Sequence, residues 1–78
     1  MIFLIEYSRR RGHIITLKRF DDQDLEKAAN VRLDMELELN RRGTSDQEIV
    51  LLEATSEDDL RRTHRRYFEN AAQIGSTG

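Results

Sequence analysis

The sequence predicts a small α+β domain of order ββαβα, a three-stranded, mainly antiparallel sheet in strand order 2-1-3 with two helices. Three features lead there. Two apolar segments flank a short loop ending in Gly12, a long run of helix formers stops at Gly43, and a third apolar segment precedes a second charged helix.

Ile2 to Tyr7 is β-branched and aromatic, broken only by Glu6, and reads as a strand. Ser8 to Gly12 is a polar loop whose glycine supplies a position with φ > 0. From His13 to Phe20, Ile15 and Leu17 alternate with Thr16 and Lys18, giving a second strand and hence a hairpin. Asp21 and Asp22 signal a helix start, and Asp24 and Glu26 suit the helix dipole. The expected helix covers roughly 22–42, with Arg41 and Arg42 in its last turn and Gly43 as its stop. One stretch of it pulls the other way. Val31, Leu33, Met35, Leu37 and Leu39 alternate with charged residues as a half-exposed strand would. On a helix the same residues make two rows, Leu25, Ala29, Leu33 and Leu37 in one, and Val31, Met35 and Leu39 in the other. Propensity and the two end signals favour the helix, with an unusually wide apolar arc that suggests cover on more than one side.

Glu48 to Glu53 is continuous in apolar residues between its ends, as in a strand buried on both faces. Ser56 with Asp59 three residues on forms a capping-box-like start for the second helix. Leu60, His64, Tyr67, Phe68 and Ala71 would make one core-facing stripe. Residues 1–72 are expected to form the domain and 73–78 a frayed tail.

This order leaves one question about the sheet. If both helices lie on one face, the other face carries an apolar patch that a second copy would cover, through Ile5, Val50 or Leu52. If the helices divide between the faces, no patch exists. The one-face arrangement makes a homodimer the expectation.

Composition narrows the classes of function. The 78 residues make one domain with a thin core, and small domains often lean on a disulfide, a metal or a partner. There is no cysteine, and two histidines, His13 and His64, stand far apart, so neither a disulfide nor a zinc site is expected. Basic and acidic residues number 13 and 15, a near balance without the global signature of a nucleic-acid binder. No apolar run approaches a membrane span, the opening lacks a basic signal-peptide region, and the absent cysteine agrees with a cytoplasmic location.

Arginine is the conspicuous residue. Arg9, Arg10 and Arg11 fill the hairpin loop, and Arg61, Arg62, Arg65 and Arg66 lie on the second helix. Guanidinium forks suit phosphates, so Arg9, Arg10, Arg11, Arg62 and Arg66 are candidate anion or nucleic-acid contacts. Against that, Glu57 precedes Arg61 and Asp58 precedes Arg62 by four residues, and Glu69 follows Arg65 and Arg66 within a turn. Such lacing describes a solvated, ion-paired face. The four glycines are isolated, so no phosphate loop exists, and no nucleophile elbow surrounds Ser8, Ser45, Ser56 or Ser76. The carboxylate pairs Asp21–Asp22 and Asp58–Asp59 sit where helix starts want negative charge. No catalytic residue, cofactor or metal is expected.

The segment Ser56-Glu57-Asp58-Asp59-Leu60-Arg61-Arg62-Thr63-His64-Arg65-Arg66-Tyr67-Phe68, following a strand and a Leu/Glu-rich helix, resembles the ending of short bacterial proteins of unassigned function. The resemblance implies a helix for 22–42 and transfers no site. The leading expectation is a small interaction protein, self-associating or binding another protein. The alternative is a nucleic-acid-associated module using the loop and helix arginines.

Overall fold

The computed structural model describes residues 1–44 and 46–68. Strand β1 (Ile2–Ser8) pairs antiparallel with β2 (His13–Phe20) on one side and with β3 (Gln47–Glu53) on the other, so the strand order is 2-1-3. The helix expected over 22–42 begins with a 3-10 turn, Asp22–Asp24, and continues as α1, Leu25–Arg42. The alternation in Val31–Leu39 thus yields to helix propensity. Asp21 makes no side-chain cap bond, so the acidic start acts through charge and not through capping. At the other end Gly43 takes φ 73°, and Gly43 and Thr44 donate their N–H groups to Asn40 and Leu39. A side chain at Gly43 would meet nothing within 4 Å, so the glycine is needed for its left-handed backbone and not for space.

The two helices divide between the faces, which corrects the one-face arrangement. Alternation along β1 sends Phe3, Ile5 and Tyr7 one way and Ile2 and Leu4 the other. On the first side, Phe3 and Ile5 form a core with Leu60 and Tyr67, joined by Leu17, Val50, Leu52 and Phe68. Ile5, Val50 and Leu52, expected on an open dimer face, therefore lie beneath α2 (Glu57–Thr63) and the turn after it. On the second side, Ile2 pairs with Phe20 and Leu4 with Leu51, under α1 with its buried Ala28 and half-buried Val31, Met35 and Leu39. A central strand apolar on both sides needs cover on both, and the chain supplies one helix to each.

The second helix is shorter than its stripe implies. Ser56 caps it, accepting a 3.1 Å bond from the Asp59 N–H, while the Asp59 carboxylate accepts from Thr55 N–H. The helix ends at Thr63, whose hydroxyl donates back to the Asp59 carbonyl, a local bond that competes with the helical ladder. His64 leaves the helical region at φ −123°, ψ 54°, and a 3-10 turn, Arg65–Tyr67, follows. The break carries Tyr67 into the core, where its ring meets that of Tyr7 edge-on at 5.2 Å. Glu69, Ala71 and the tail expected over 73–78 lie outside the described residues.

Truncating Leu60 to Ala should cost about 2–5 kcal/mol, because it empties a fully buried site. Leu33→Ala, at a position 54% exposed, should change stability by less than about 0.5 kcal/mol. Equal losses in urea unfolding would contradict the division into core and surface.

Candidate functional site

The hairpin arginines sit on a loop that is clamped from outside. Ser8 is buried at the end of β1, and its hydroxyl donates to the Asp46 carboxylate at 2.7 Å. The other Asp46 oxygen accepts the Arg10 N–H at 2.7 Å, and the Asp46 carbonyl accepts the Arg9 N–H at 3.1 Å. Within the loop, Gly12 N–H donates to the Ser8 carbonyl and Arg11 N–H to the Ser8 hydroxyl. Asp46 thereby ties the β1–β2 loop to the connection between α1 and β3. The Ser8 bond, followed by the Arg10 N–H and the charges of Arg10 and Arg11, holds its carboxyl below the usual carboxylate range against partial desolvation. An open hollow lined by Arg10, Arg11, His13, Thr44 and Gln47 lies here, and Asp46 is part of its wall. Its negative charge offsets the basic residues that would attract an anion.

Arg61, Arg62 and Arg66 are ion-paired. Arg61 binds Glu57 at 3.0 Å, one turn back as the spacing predicts. Arg62 binds Asp59 at 2.9 Å and not Asp58. Asp59 is held below its ordinary pKa by the Thr55 N–H first and by Arg62 second. Arg66 reaches across to Glu48 of β3 at 3.0 Å and lies over the Tyr67 ring at 4.6 Å, while Arg61 lies over Phe68 at 4.8 Å. Burial, with the nearby Glu48 carboxylate second, raises the Tyr67 phenol above its usual value. The Arg66–Glu48 pair is a tertiary contact that helical spacing could not reveal.

These five candidate arginines do not form one patch. Arg9, Arg10 and Arg11 occupy the hairpin end of the sheet, where β3 begins. Arg66 is held near that end through Glu48, which pairs with Tyr7. Arg62 is held through Asp59 and Thr55 at the opposite end, beyond Glu53 where β3 stops. Phosphate binding by all five would need separate contacts at both ends.

A different surface emerges on α1. Ala28, Val31, Met35 and Leu39 face the sheet, and the second row, Leu25, Ala29, Leu33 and Leu37, faces outward. Its leucines are 53, 54 and 57% exposed. At 1.5 Å per residue the row is about 18 Å long. Along one flank Arg32 and Glu36 bind each other at 2.8 Å. The wide apolar arc was visible in the sequence, but which row would turn outward was not.

His64 is half-buried and gives its backbone N–H to the Leu60 carbonyl, where it ends α2. Among the described residues, no group of three or more His, Cys, Asp or Glu could hold a metal ion. No helix among them is long and apolar enough to cross a membrane. No protein-family model, curated protein or solved structure matches the chain significantly.

Two outcomes follow from the charges. Replacing Arg62 and Arg66 together by Gln should cost no more than about 0.2–1 kcal/mol per exposed pair. It should also leave oligonucleotide binding at low salt absent; appreciable binding that weakens with salt and with this substitution would restore the nucleic-acid reading. The second outcome concerns pH. Asp46 has a folded-state pKa below its unfolded value, so its contribution to stability is present above the unfolded pKa and is lost as pH falls through the folded one. Asp46→Asn should therefore lower the urea midpoint most at neutral pH, with the gap to wild type closing on acidification. A gap that stays constant would remove the carboxylate from the clamp.

Proposed function

We propose that this protein is a small non-catalytic interaction protein that acts through the outward row of α1. The observation that carries this reading is the exposure of Leu25, Leu33 and Leu37 on one i,i+4 row. Single exposed leucines are ordinary on a protein surface, but a contiguous row on one helix face is the usual form of a helix-binding surface. Three carboxylates already have structural work. Asp46 pins the hairpin, Asp59 caps α2 and holds Arg62, and Glu48 holds Arg66.

The alternative is a nucleic-acid-associated module contacting phosphate through Arg9, Arg10, Arg11, Arg62 and Arg66. The carboxylates bonded to Arg62 and Arg66, and the separation of the two arginine groups, weigh against it.

A photo-crosslinking amino acid in place of Leu37 should yield a discrete protein adduct in cells producing the chain. The same group in place of exposed Lys27, off the row, should yield none. Absence of any adduct from Leu37, or equal labelling from both positions, would remove α1 as a contact surface.

A further inference from the structure

Resting on that reading of α1, we infer that the occupant of the leucine row is the α1 helix of a second copy, packed antiparallel about a two-fold axis at Leu33. Such an axis sets each residue before Leu33 across from the residue equally far beyond it on the other copy. Leu37 then meets Ala29, so a large side chain enters the space left by a small one, and the match occurs twice. Two leucines meet at the axis itself.

Charge selects this direction. The start of the helix carries Asp22, Asp24 and Glu26, and its last turn carries Arg41 and Arg42. With the axis at Leu33, Glu26 beside the row comes within a turn of the other copy's Arg41, and Leu25 lies against the aliphatic stem of Arg41. A two-fold of this kind also sets each flank against its own copy in reverse order. Arg32 then lies within a turn of the other copy's Glu36 on the same flank, so the Arg32–Glu36 flank is complementary to itself. Parallel packing would oppose acid to acid at one end and arginine to arginine at the other, and would align the two helix dipoles unfavourably.

One helix face is smaller than the roughly 800 Å² per partner of a standard stable interface, which places the pair in the weak, reversible class. Around the leucines the rim is charged, as interfaces of this class are. The pairing leaves the sheet and α2 untouched, so it adds to the fold without being needed for it.

The absence of cysteine makes the geometry directly testable. Under mild oxidation, Leu33→Cys should give a disulfide-linked dimer, because the two positions meet at the axis. Leu25→Cys should not, because antiparallel packing separates its two copies by about 24 Å along the helices. Leu37→Asp should raise the concentration at half-association by more than about tenfold in sedimentation equilibrium while leaving the circular dichroism spectrum unchanged. Linkage at Leu25 as efficient as at Leu33, or none at Leu33, would overturn the antiparallel pair. Should the purified protein stay monomeric while Leu37 crosslinks to a different protein in cells, the self-pairing falls and the contact surface stands.

Discussion

Four consecutive apolar residues on a central strand cannot be shielded from one side. Ile2, Phe3, Leu4 and Ile5 are each no more than 2% exposed, and alternation divides them between the two faces of the sheet. Burying such side chains contributes roughly 1.5–3 kcal/mol apiece, a large share of the about 5–15 kcal/mol by which domains are stable. Both faces must therefore be roofed by a chain of 78 residues. The placement of α1 on one side and of α2 with its following turn on the other follows from that need. So does the break at His64, which delivers Tyr67 to the core where a continuous helix would have carried it onward.

The charges are organised around this arrangement. Carboxylates near the sheet are engaged at its two ends, Asp46 on the hairpin and Asp59 at the start of α2. Glu48 fastens Arg66, and with it the turn bearing Tyr67, to β3. Both outer strands carry features that discourage edge pairing. On β2 the register slips opposite Glu6 and Tyr7, leaving Ile15 out of the ladder, and Lys18 and Arg19 are exposed beyond it. On β3, charged Glu48 and Glu53 stand near the two ends. These features disfavour edge pairing of the sheet, whereas on α1 three exposed leucines share one row; Met1 and Ile15 are exposed singly.

That row is what the wide apolar arc of α1 becomes when only part of it reaches the sheet. A helix resting on a three-stranded sheet can bury about one face, and Ala28, Val31, Met35 and Leu39 take it. Leu25, Leu33 and Leu37 are left about half exposed, where they contribute helix propensity and little burial. The open sheet face expected at Ile5, Val50 and Leu52 does not exist, because α2 and its following turn cover it; the exposed apolar row is a separate feature of α1.

Much of this architecture was written in local residue patterns. The strands, the Gly12 loop, the Gly43 stop and the Ser56–Asp59 cap rest on periodicity and end chemistry acting over a few residues. The acid-first spacing of Glu57 and Arg61 likewise forecast their ion pair, because a helix fixes that geometry by itself. Contacts between distant segments had no such signal. The Asp46 clamp joins residues 38 apart in the chain, and Arg66 chose Glu48 at a separation of 18. Which face each helix covers was likewise decided only in three dimensions, because a strand apolar on both sides is compatible with either arrangement until the helices pack. Burial of β1 on both sides settled it, and with it turned Ile5, Val50 and Leu52 inward and left the leucines of α1 facing out.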